Sequence, residues 1–169
     1  ELPMSFEKIW ENRTYITQSL SNVWGYMTDP SNMVDSHPFI GASDEASATY
    51  NREYRNMNFG TWNPTSVPYN KWSQYYRGIR EATIFMQYAP DAPAPNLTSA
   101  EREQWPVEAR FARAYYYYQL MQMYGPVILL YDEILDFNQP IADLQRPRNT
   151  MDECVEWVTA ELNACAELL

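Results

Sequence analysis

Apolar residues recur three and four positions apart over four stretches of the chain, and each stretch predicts an amphipathic helix. In the first, from Ser5 to about Met27, the residues Phe6, Ile9, Ile16, Leu20, Val23 and Met27 form one stripe, widened by Trp10 and Trp24. Ser5 suits an N-cap, Glu7 suits the positive end of the helix dipole, and Asp29-Pro30 stops the pattern. The second runs from Asn70 to about Tyr88, with Trp72, Tyr75, Tyr76, Ile79, Ala82, Thr83 and Met86 on one face. Pro90, Pro93 and Pro95 close it as a stiff linker. The third spans Thr98 to Tyr124 and opens with a capping box, Thr98 with Glu101. Pro106 falls inside it and predicts a break or kink. After Gly125-Pro126, Val127 to Tyr131 reads as a short extended run. The fourth begins at a second capping box, Thr150 with Glu153, and carries Val155, Trp157, Val158, Leu162, Cys165 and Leu169.

Within the third helix the stretch Glu108 to Leu130 is apolar nearly all round, so it needs cover on more than one side. It is the expected centre of a helical stack. Arg110 and Arg113 sit on this otherwise greasy element and need carboxylate or carbonyl partners, since an unpaired interior charge is too costly. Paired helices of these lengths predict an all-α fold of stacked, tetratricopeptide-like helical pairs, with degenerate repeats because no clean 34-residue period shows. Residues 29–69 carry no sustained period. Their prolines, glycines and many Asn and Ser predict a long loop, and their aromatic content predicts that it is ordered. A short helix is expected around Ala46 to Arg55, with Trp72 in the core.

The formal charge of −10 excludes nucleic acid and anionic lipid surfaces as natural partners. Aromatic residues make up 15% of the chain, enough for a tyrosine-rich core or for a surface that stacks on sugar-like ligands. The two cysteines, Cys154 and Cys165, share a face of the last helix but stand ~16 Å apart along its axis. A disulfide needs Cα atoms within ~7 Å, so they read as core hydrophobes. No stretch is apolar enough to span a membrane, and the first residues do not form a signal peptide. The chain reads as a piece of something longer, beginning after a cut and stopping within a helix.

Specific catalytic motifs are lacking. Asp44-Glu45 is the one adjacent acidic pair near a glycine turn; neighbouring carboxylates do not face each other, and pairing with Arg110 or Arg113, or local capping, is their simplest role. His37 is a lone histidine before a proline, and no zinc, nucleotide or nucleophile-elbow pattern appears. No metal or cofactor is expected. The loop Phe59 to Tyr69 stands apart, because Trp62 sits between Gly and Pro residues where the chain is exposed. A rigidly held, exposed Trp is a platform for a sugar ring, with Asn63 and Arg52 able to hydrogen-bond hydroxyls. The alternative is a Trp that tucks the loop onto the domain.

The order Arg110-Phe-x-Arg113-Ala-Tyr-Tyr-Tyr117, followed by Tyr124-Gly125, resembles the SusD/RagB family. Further landmarks occur in family order: Trp10, Asp44-Glu45, Trp72 with Tyr76 and Ile79, and Pro147-Arg148 before Thr150. Two positions depart from the pattern: Thr83 stands where the family usually has Asn, and Gly125-Pro126-Val127-Ile128-Leu129 replaces Gly-Gly-Val-Pro-Leu. The resemblance implies that residues 1–169 are the N-terminal part of a SusD-like helical domain, with 29–69 as the ligand-binding segment. It implies a non-catalytic nutrient-binding lipoprotein on the extracellular face of the outer membrane, its lipid anchor outside this chain. Such a protein captures oligosaccharide, or in some members peptide, and passes it to a TonB-dependent, SusC-like transporter. Arg52, Trp62, Asn63 and Tyr69 are the implied ligand contacts, with Asp44 beside them. Two other readings compete: a helical-repeat scaffold that binds only a protein, and a helical glycoside hydrolase. The hydrolase would need two carboxylates ~5–9 Å apart across a cleft.

Overall fold

The structure, a computed structural model, describes residues 6–29, 39–46, 52–63, 65–136 and 138–168. Seven α-helices lie among them: α1 (Phe6–Trp10), α2 (Arg13–Trp24), α3 (Arg52–Asn58), α4 (Trp72–Tyr88), α5 (Ser99–Tyr124), α6 (Ile141–Leu144) and α7 (Met151–Leu168). A 3₁₀ turn covers Phe39–Ala42, and the only β pairing among the described residues is the isolated bridge Asn63–Ser66. The fold is all-α, as the periodicity required. The chain divides into two compact units, one of residues 1–26 and 74–169, the other of residues 27–73.

In the first unit α5 is the hub. Tyr116 and Tyr117, side by side on α5, are fully buried and point to different neighbours. The Tyr116 ring stacks on Tyr75 of α4 at 5.6 Å, and its hydroxyl donates to the Val23 carbonyl of α2. The Tyr117 ring meets Trp157 of α7 edge-on at 4.9 Å. Phe111 approaches Trp24 of α2 at 6.2 Å. A helix apolar around most of its circumference is thus covered by α2, α4 and α7, which is why so little of its surface is polar. Gly78 is the point of closest approach: a Cβ there would lie 2.7 Å from the Tyr116 ring and 2.9 Å from Tyr26.

Several expectations are corrected. The first helix is two helices, because Asn12 interrupts it: its backbone is extended and its side chain accepts from the Thr14 amide, capping α2 anew. Ser5, read as its N-cap, lies outside the described residues. The helix around Pro106 does not break; α5 runs uninterrupted through it. Proline removes one backbone hydrogen bond there, and the capping box at Thr98–Glu101 on one side and the buried run from Ala109 to Met121 on the other hold the helix across the gap. Of the short helix expected from Ala46 to Arg55, residues 47–51 lie outside the described residues; α3 covers Arg52–Asn58 and so runs three residues further than expected. Trp72 is half-buried rather than core.

The run after Gly125-Pro126 pairs with no strand. Its backbone is satisfied by side chains instead: the Tyr76 hydroxyl donates to the Ile128 carbonyl at 2.9 Å and accepts from the Ile128 amide at 3.0 Å. Tyr117 Oη accepts from the Leu130 amide, and Asn149 Oδ1 from the Leu129 amide, both at 2.9 Å. The second capping box forms, with the Thr150 amide donating to Glu153 at 2.8 Å. Cys154 and Cys165 are both buried and unpaired, each thiol directed at a backbone carbonyl. No helix among the described residues is long and apolar enough to cross a membrane.

Candidate ligand-binding surface

The unit of residues 27–73 is built around Tyr54 of α3, which is fully buried and packs its ring over Gly41. Asn58 Nδ2 donates to the Gly41 carbonyl at 3.3 Å, tying the end of α3 to the 3₁₀ turn. Helix α3 then stops in a Schellman arrangement. The Thr61 amide donates to the Asn56 carbonyl at 2.9 Å and the Gly60 amide to the Met57 carbonyl at 3.1 Å. Gly60 has φ +63°, a conformation that a side chain would resist.

This stop sets the directions of the residues on either side of Gly60. Phe59 is 75% exposed and Trp62 52% exposed, two large aromatic side chains left in solvent three positions apart. Beyond them the loop is stiffened by its own hydrogen bonds. Asn63 and Ser66 exchange backbone bonds at 3.3 and 2.9 Å, and Asn63 Oδ1 accepts from both the amide and the hydroxyl of Thr65, at 3.0 and 2.6 Å. The Asn63 oxygen is therefore spent on shaping the loop, and its amide nitrogen is the group left to donate. Tyr69 is buried, with the Lys71 ammonium 5.7 Å from its ring centre, so it supports the loop from beneath. Asp44 is exposed in the bend after the 3₁₀ turn. The backbone of Arg52 opens α3, while its side chain, like the whole of His37, lies outside the described residues. Phe59 was not singled out from sequence. Its signal was there, in the Asn58-Phe59-Gly60 helix stop, which leaves the residue before the glycine without a helical neighbour to cover it.

The carboxylate that pairs with the arginines is one of α7, in place of the expected Asp44-Glu45. Asp44 and Glu45 are both exposed, and the Glu45 amide donates to Ser43 Oγ at 3.2 Å, a local turn contact. The partner of Arg110 and Arg113 is Glu161 of α7. Arg110 Nε and Nη2 donate to its two oxygens at 3.0 and 2.7 Å, and Arg113 Nη2 donates at 2.8 Å. Arg113 also donates to the Tyr131 carbonyl and to Asp132, each at 2.8 Å, with its guanidinium 5.3 Å from the Trp157 ring centre. Burial pushes the Glu161 carboxyl up, but the bonds from Arg110 and Arg113 outweigh it and hold it below the usual range. This cluster ties α5 to α7 and is structural. No group of His, Cys, Asp and Glu side chains among the described residues converges to hold a metal ion.

Comparison with solved structures agrees with this architecture. A SusD-like protein from Bacteroides fragilis NCTC 9343 superposes with a TM-score of 0.78 at 18% identity, covering 98% of this chain and 31% of its own. A SusD-like carbohydrate-binding protein from the same organism superposes at 0.72 with 19% identity, covering 96% and 32%. The chain therefore spans about a third of the length of these structures. A search of curated proteins found no match. The family model for SusD-like proteins, described as starch-binding and associating with the outer membrane, matches residues 7–169. A match over nearly the whole chain, on a fold of stacked helical pairs, means that this chain belongs to the SusD-like family.

Proposed function

We propose that this chain is the N-terminal part of a cell-surface glycan-binding protein, and that Phe59 and Trp62 form its aromatic contact surface. The observation that carries the reading is the exposure of both rings on a loop held by a Schellman stop and an Asn63-centred turn. Solvated aromatic faces are costly to leave uncovered, and a pyranose ring, apolar on its C–H face and polar at its rim, suits them. Asn63 Nδ2 donates to a sugar hydroxyl, and Asp44 accepts from one. Tyr69 acts by supporting the loop. The reaction class is binding without chemistry, followed by transfer to a TonB-dependent transporter in the outer membrane. Lipid anchoring and the extracellular face belong to the same proposal.

The exposed apolar residues of α7, Met151, Val155 and Leu168, favour a scaffold role for the helical unit alongside capture by the loop. Affinity electrophoresis through soluble starch and a panel of other polysaccharides tests the reading. Retardation by at least one polysaccharide should weaken about tenfold in Trp62→Ala and in Phe59→Ala, equivalent to roughly 1.4 kcal/mol each. Retardation unchanged in both variants, or absent for every polysaccharide with the fold intact, would remove the glycan site from this loop and leave the scaffold role.

A further inference from the structure

We propose a second binding site, independent of the aromatic loop: a cleft in the helical unit that takes an arginine side chain of a basic peptide segment. The cleft has a volume of about 580 Å³, within the range of small-ligand sites. Three rings and three carboxylates line it: Phe6, Trp10 and Tyr88 with Glu7, Glu11 and Asp91. The rings form one continuous wall. Phe6 meets Tyr88 at 4.9 Å with the planes at 87°, and Trp10 stacks on Tyr88 at 5.5 Å and 20°. Trp10 is buried against one face of Tyr88, while Phe6 and Tyr88 are 41% and 43% exposed, so both residues reach the surface of the cleft.

The three carboxylates are not neutralised by neighbouring cations among the described residues, as is common for carboxylates in this chain. No ion pair among the described residues involves Glu7, Glu11 or Asp91, although five ion pairs form elsewhere. They do not converge tightly enough to hold a metal ion. Carboxylates spread around an aromatic wall instead match a cation that is wide, flat and weakly hydrated. A guanidinium stacks on aromatic faces and spreads its donors over several carboxylates, which a compact ammonium does less well.

Fluorescence anisotropy of a labelled short peptide containing two arginines separated by glycine tests this directly. Tyr88→Ala keeps the charge and should weaken binding about fivefold or more, the scale of a cation–π contact. Asp91→Asn keeps the rings and should weaken it similarly, while Asp143→Asn, an equal change of net charge on α6, should leave it unchanged. The same peptide with lysine should bind more weakly than with arginine. Equal losses in Asp91→Asn and Asp143→Asn, or no loss in the better-folded of Tyr88→Ala and Tyr88→Leu, would reduce the effect to bulk charge and overturn the site. So would a failure of the arginine peptide to bind at all, or displacement of the peptide from the cleft by neutral maltohexaose. Trp62→Ala should not affect the peptide, which separates this site from the glycan loop.

Discussion

Arg110 and Arg113 of α5 converge on Glu161 of α7. The carboxylate accepts from both arginines, one of them almost fully buried, while Arg113 Nε finds no partner among the described residues. Loss of the carboxylate leaves the buried Arg113 guanidinium with only the exposed Asp132 as counter-charge, so much of its desolvation cost goes uncompensated. Glu161→Ala should destabilise the chain by about 3–5 kcal/mol, read as a lower urea midpoint at unchanged slope. Glu161→Gln, which keeps an acceptor, should cost less; equal losses would show that the charge contributes nothing beyond the hydrogen bonds. Only the arginine half of this pairing was read from the sequence. Arg110 and Arg113 announced a need for acceptors, and Glu161 lies three after Val158 and four before Cys165, on the apolar stripe of its helix. Which carboxylate would meet them was not visible, because helical period tells which face a residue takes and not which helix that face will meet. Tyr131 has a similar status: its φ of 53° turns its carbonyl to within 2.8 Å of Arg113, and nothing local in the sequence calls for that conformation.

Helix α4 shows how one position controls the spacing of elements. In an exposed helix, Gly→Ala gains up to about 1 kcal/mol from propensity. At Gly78 the new methyl would meet the Tyr116 ring at 2.7 Å, and that ring is pinned by its hydroxyl bond to Val23 and its stack on Tyr75. Gly78→Ala should therefore be destabilising, by about 1–3 kcal/mol, and lower the thermal midpoint. A raised midpoint would mean that α4 and α5 can part without loss. The elements themselves were legible where caps and stripes agreed, as at Thr98–Glu101 and Thr150–Glu153. They were misread where a local hydrogen bond competed with periodicity. Asn12 splits a stripe that looks continuous, and Pro106 sits in a helix whose flanks are too well anchored to yield.

At the scale of the whole molecule, titration sets two limits on stability. Hydrogen bonding to Arg13, then to the Thr98 amide, lowers the Glu101 carboxyl to about 2, and Glu161 is lowered as well. Groups depressed on folding stabilise the native state above their unfolded pKa and lose that contribution as pH falls through the folded one. Stability should therefore decline from about pH 4.5 downward toward about 2. Burial raises Tyr76 to about 12, and raises Tyr116 and Tyr117 in the same direction. A phenol raised on folding gives the opposite sign, with stability intact below its ordinary value of 10 and lost as pH climbs through 12. Thermal midpoints measured across this range should show a plateau with losses on both sides; a profile flat down to pH 3 would contradict the assigned carboxylate bonds. Composition and period by themselves determined the all-α class, the central place of α5, the two capping boxes and the separation of the cysteines, because those depend on spacing along one helix. The landmark order was enough to identify the family. Tertiary structure alone decided the pairing of Glu161, the burial of Tyr69 beside the exposure of Phe59 and Trp62, and the open cleft beside Tyr88. Each of these depends on which surfaces meet across long stretches of chain, and side chains of the same type end up buried or bare according to what arrives opposite them.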